Sequence, residues 1–127
     1  MRSRKLYTSV LMVIGLSAAL PLTASLRSGT QEIRLVAKDM AFYLAGDTAT
    51  PNPTIRVKPG KQVRILLENQ DRGIVHVFAI DGLRLSIPPL KGEASASLLF
   101  RAPQRTGRYA YKCSPHARMM NGIFEVK

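Results

Sequence analysis

From Glu32 onward the chain is written in short runs whose apolar residues fall at every second position, each closed by turn residues. A period of two puts one set of side chains on each face of a strand, whereas an amphipathic helix needs a period near 3.6. Residues 32–37 alternate polar and apolar, and residues 54–58 do so again before Pro59-Gly60 interrupts them. Residues 62–68 end in Asn69-Gln70-Asp71-Arg72-Gly73, and residues 74–80 end in Asp81-Gly82. Residues 94–100 precede a turn at 103–107, residues 108–112 lead into Cys113, and residues 122–126 close the chain. Short strands separated by frequent turns, with no convincing amphipathic helix, predict an all-β domain: an antiparallel Greek-key β-sandwich of about seven or eight strands. A small closed barrel carries the same pattern and is the alternative. Residues 44–53 are expected to form a long surface loop.

The first 25 residues belong outside this domain. Arg2, Arg4 and Lys5 make a positive start, no charge follows until Arg27, and Leu11-Met12-Val13-Ile14 lies in a compact apolar stretch. Pro21 and the small residues Thr23, Ala24 and Ser25 then supply a processing region, so residues 1–25 read as an export signal. The alternative is a retained N-terminal anchor, because the uncharged run from Leu6 to Leu26 is about long enough to cross a bilayer as a helix. Either way residues 26–127 form one folded domain in the periplasm or otherwise outside the cytoplasm, tethered to the membrane if the signal is not cleaved.

Charge and composition narrow the function. The chain has 127 residues, with 19 Lys and Arg against 8 Asp and Glu. Only three of the positive residues lie in the first 25, so the folded domain is itself basic. That favours acidic protein partners or anionic surfaces. Nucleic acid is a poor partner, since the positive residues are scattered, aromatic residues make up 6% and no nucleic-acid-binding motif occurs. One cysteine excludes an internal disulfide, and one cysteine with two histidines leaves room for a single small metal site.

Those three residues and a methionine pair meet in one pattern. Cys113-Ser114-Pro115-His116-Ala117-Arg118-Met119-Met120-Asn121-Gly122 lies between the last two strands, and His76 is the other histidine. A lone Cys is ordinarily a small buried hydrophobe, and a His between valines an ordinary core residue. Together they offer two imidazoles, a thiolate and a thioether, which is the ligand set of blue-copper electron-transfer sites. The soft sulfur donors favour copper over zinc.

The sequence resembles the cupredoxins, the small exported blue-copper proteins that include plastocyanin, amicyanin and azurin. The resemblance spans residues 26–127. It rests on His76, on the loop from Cys113 through His116 to Met120-Asn121-Gly122, and on the openings Lys38-Asp39-Met40-Ala41-Phe42 and Ile55-Arg56-Val57-Lys58-Pro59-Gly60. It implies one copper ion per chain held by His76, Cys113, His116 and Met120. Met119 is the alternative axial ligand, matching the tighter loop of amicyanin-like members. Val77 stands where an Asn often follows the first His and ties the ligand loops together, so the surroundings of the site depart from the pattern there.

The resemblance further implies a carrier of single electrons by Cu(I)/Cu(II) cycling, with no substrate transformed and hence no enzyme. His116 would be the electron port. Arg118 and Arg72 would rim a docking surface for an acidic redox partner such as a cytochrome or oxidase domain. The competing function is a periplasmic copper carrier or buffer that delivers the metal to an exported oxidase. Multicopper oxidases and copper nitrite reductases need further histidines that this chain lacks.

Overall fold

The computed structural model describes residues 29–127, and the segment read as a signal or anchor lies outside them. Nine strands are described: β1 (Gln31–Lys38), β2 (Ala41–Leu44), β3 (Ile55–Val57), β4 (Gln62–Asn69), β5 (Val75–Ile80), β6 (Leu85–Lys91), β7 (Ser95–Arg101), β8 (Gly107–Lys112) and β9 (Asn121–Val126). They form two sheets, ordered β2-β1-β4-β7 and β3-β9-β8-β5-β6. The expected sandwich is present, and no described helix is long and apolar enough to cross a membrane.

The sandwich departs from the expected pattern in two respects. Two strand pairs run parallel rather than antiparallel, β1 beside β4 and β3 beside β9. Both join strands far apart in sequence, which a tight hairpin cannot do. The strand count is also higher than expected. β2 is only four residues long. β6 carries Pro88 and Pro89, which discourage a strand assignment. It nevertheless pairs because it is an edge strand, where a missing N–H can face away from the ladder.

Alternation builds the core. Ile33, Leu35 and Ala37 of β1 and Val63, Ile65 and Leu67 of β4 are all buried, with charged or half-buried residues between them. Opposite them lie Phe78, Ile80, Ile87, Tyr111, Phe124 and Val126 of the second sheet. Phe78 and Tyr111 stack with ring centroids 5.2 Å apart, and Phe42 meets both edge-on at 5.6 and 5.7 Å. These rings matter to the site through spacing. Phe78 lies two residues after His76 on β5, and Tyr111 two before Cys113, with Phe78, Tyr111 and Cys113 in one buried core.

The loop between β2 and β3 falls where residues 44–53 were expected to form one. Asp47 accepts the N–H groups of Ala49 and Thr50, while Asn52 exchanges hydrogen bonds with Phe42. Asn52, held at φ 51°, also donates its side-chain N–H to the Met119 carbonyl at 2.8 Å, fastening this loop to the one after β8.

Candidate metal centre

β5 and β8 share a single register pair, Ala79 with Lys112. His76 lies on β5 three residues before that pair, and Cys113 directly follows Lys112 at the end of β8. The β5–β6 register shifts between His76 and Phe78, an irregularity of the kind that re-aims side chains at sheet edges. Within it the Val77 N–H donates to the Cys113 sulfur at 3.3 Å instead of to the neighbouring strand.

The loop after Cys113 is wound tightly. Ser114–His116 form a short 3₁₀ turn with Pro115 near its start, where a missing N–H is tolerated. The His116 N–H donates to the Cys113 carbonyl, and those of Met119 and Met120 both donate to the His116 carbonyl. Cys113 N–H to the Met120 carbonyl, at 2.9 Å, then closes the loop on itself. Gly122 follows because only hydrogen fits: a Cβ there would collide with the Tyr111 ring. Tyr111 donates its hydroxyl to the buried Pro53 carbonyl at 2.6 Å, and burial pushes its phenol well above the ordinary tyrosine value.

His76, Cys113 and His116 thereby converge, with ligand atoms all within 4.8 Å of one another. The Cys113 sulfur is 3.8 Å from His76 Nδ1 and 3.4 Å from His116 Nδ1, and the imidazole centroids are 5.3 Å apart. His76 and Cys113 are wholly buried, whereas His116 is partly exposed. Two imidazole nitrogens and a sulfur this close together would share one ion between them. The donor set therefore fits a soft or borderline metal ion.

No family model matches the chain, and no curated protein sequence does. Solved structures do match. Auracyanin A, a "blue" copper protein of Chloroflexus aurantiacus, superimposes with a TM-score of 0.61 at 20% identity, over 78% of this chain and 100% of that one. Rusticyanin of Thiobacillus ferrooxidans gives 0.56 at 21% identity, covering 77% of each chain. The metal-binding domain of the Cu(I)-exporting P-type ATPase of Streptococcus pneumoniae D39, solved with Cu(I), gives 0.58 at 20% identity, over 81% and 91%. The chain has the cupredoxin fold.

On this cupredoxin frame the methionine pair divides cleanly. Met120 is wholly buried in the same cluster as Cys113, whereas the Met119 side chain is 55% exposed. Ser114 to Met119 line a shallow surface depression with His116 among them. Arg118 is exposed beside His116. Arg72 occupies the turn leading to β5 and pairs with Glu93 at 3.2 Å, both side chains lying largely in solvent.

Two residues that the sequence reading passed over shape the site. Asp71 Oδ2 lies 2.8 Å from His76 Nε2, on the far side of the ring from Cys113. Asn69, buried completely, accepts the Asp71 N–H and donates to the carbonyls of Ile74 and Leu90. Both sit in a stretch whose Asn, Asp and Gly are fully accounted for as turn formers. The available signal was an acidic residue five positions before a candidate ligand histidine in a basic chain.

Proposed function

We propose that this chain is an exported mononuclear blue-copper protein that carries single electrons between redox partners and catalyses no reaction of its own. The observation that carries the proposal is the convergence of His76 Nδ1, the Cys113 sulfur and His116 Nδ1 at one end of a cupredoxin sandwich. The similarity to auracyanin and rusticyanin supports it.

His76, Cys113 and His116 would hold the ion, with the buried Met120 thioether as a further donor and Met119 left at the surface. Copper bound there supplies a one-electron Cu(I)/Cu(II) couple. The chain's contribution is to keep the donors in place in both states. Strand β5 and the hydrogen-bonded loop after β8 would hold three of them, and burial of His76 and Cys113 would keep water away. His116 lies between that interior and the surface depression, so its ring is the shortest route outward. A small contact around Pro115, Ala117 and Met119 with Arg118 and Arg72 at its rim suits brief encounters with an acidic cytochrome or oxidase domain.

The similarity to the ATPase metal-binding domain favours one second reading, a periplasmic carrier or buffer that passes copper to an exported oxidase. Voltammetry of the copper-loaded domain separates the two. An electron carrier gives a reversible one-electron wave with rapid exchange to an acidic partner, slowed by added salt. A carrier of the metal gives up Cu(I) readily to a chelator and exchanges electrons slowly.

A further inference from the structure

We infer that Asp71 is a positioning residue for the metal site, fixing the tautomer of His76 and strengthening it as a ligand so that Cu(II) is favoured over Cu(I). The inference rests on the copper-binding reading above and deepens it.

Three elements meet at the Asp71 carboxylate. Oδ1 accepts the Asp39 N–H at 2.9 Å, and Oδ2 lies 3.5 Å from the Met40 N–H and 2.8 Å from His76 Nε2. Asp39 and Met40 form the two-residue turn between β1 and β2, with φ of 49° and 60°. Positive φ at both positions is what the twist of a two-residue hairpin requires, and methionine rarely adopts it. That conformation turns two consecutive N–H groups onto one carboxylate. From below, buried Asn69 holds the Asp71 backbone.

With the Asp39 and Met40 N–H groups already directed at it, the Asp71 carboxylate serves as the acceptor of the 2.8 Å contact, so His76 Nε2 is the donor in it. Nδ1 is then the free donor, and it is Nδ1 that faces the Cys113 sulfur. The Asp71 side chain is 11% exposed and His76 is not exposed at all. In such surroundings the charge is weakly screened. A negative partner on the outer nitrogen raises the basicity of the inner one, the arrangement by which carboxylates orient and strengthen metal-bound histidines. A stronger donor stabilises the higher oxidation state more. Val77 leaves no side-chain amide beside His76, and Asp71 supplies the tie between loops from the opposite side of the ring.

The test compares wild type with Asp71→Asn, which keeps the shape and removes the charge, and with Glu93→Gln, which removes a charge from solvent near the same turn. The expected result is that Asp71→Asn still shows the copper–thiolate band, while its preference for Cu(II) over Cu(I) falls about tenfold. That corresponds to a reduction potential about 59 mV higher. Glu93→Gln stays at the wild-type value. Metal-free wild type gives an independent readout: nitrogen-detected histidine NMR should place the His76 proton on Nε2, hydrogen-bonded and strongly downfield, including if Asp71→Asn does not fold. An unchanged potential in a folded, blue Asp71→Asn protein overturns the inference and leaves the proposed function standing. So does an equal shift in Glu93→Gln, or a His76 proton found on Nδ1. A wild type that binds no copper overturns both.

Discussion

The backbone N–H of Val77 donates to the sulfur of Cys113, joining the strand that carries one histidine to the loop that carries the other. Val77 lies within the register irregularity between His76 and Phe78. The donor is main chain, so the identity of residue 77 does not create the bond. Val77→Asn should therefore retain the visible copper–thiolate band with its position little changed. A lost band in a folded Val77→Asn protein would show that the half-buried valine side chain, not the backbone, holds the sulfur.

Met119 and Met120 should behave in opposite ways. Met119 projects into solvent, so Met119→Ala should change stability by no more than about 0.5 kcal/mol and leave the reduction potential alone. Met120 is wholly buried. Met120→Ala should cost about 2–5 kcal/mol of stability and, if its thioether is a donor to the copper, shift the potential as well. Urea denaturation and redox titration read the two effects separately. A potential that followed Met119 instead would transfer the axial role to it.

The pH dependence of folding should carry a signature from Glu125 on β9, away from the metal centre. Its carboxylate lies 3.0 Å from Arg56 Nε and 3.4 Å from Lys127 Nζ, with Arg108 at 3.9 Å. Partial burial pushes its pKa up, but Lys127 and Arg56 outweigh that and hold it below the ordinary glutamate value. A depressed folded value means that the contribution is present above the unfolded pKa, about 4.3, and is lost as pH falls through the lower folded value. Glu125→Gln should be less stable than wild type at pH 7, with the gap closing below about pH 4. High salt should narrow it too, because the cationic partners are exposed. Melting curves across pH that stayed a constant interval apart would contradict the assignment.

What could be read in the sequence followed physical locality. Strands with strict alternation, such as β1 and β4, were evident because a half-buried strand writes its burial into every second residue. β6 was hidden by Pro88 and Pro89, which are tolerated only because the strand lies at an edge, and an edge is a property of the whole sheet. The parallel pairings of β1 with β4 and of β3 with β9 were hidden for the same reason. The candidate metal ligands stood out because Cys113, His76 and His116 are chemically rare in this chain and have few other uses in that pattern. Asp71 and Asn69 did not, since a turn would recruit the same residue types without any metal nearby. Only the placement of the β4–β5 turn against His76 separates the two roles.

If His76, Cys113 and His116 together hold a copper ion, the Cys113 thiolate is bonded to it. The most direct measurement is the visible absorption spectrum of the folded domain on adding Cu(II), with Cys113→Ser alongside. The wild type should show an intense thiolate-to-copper charge-transfer band at one copper per chain, absent from Cys113→Ser. A wild type that binds copper in neither oxidation state, or a band that survives in Cys113→Ser, would contradict that assignment.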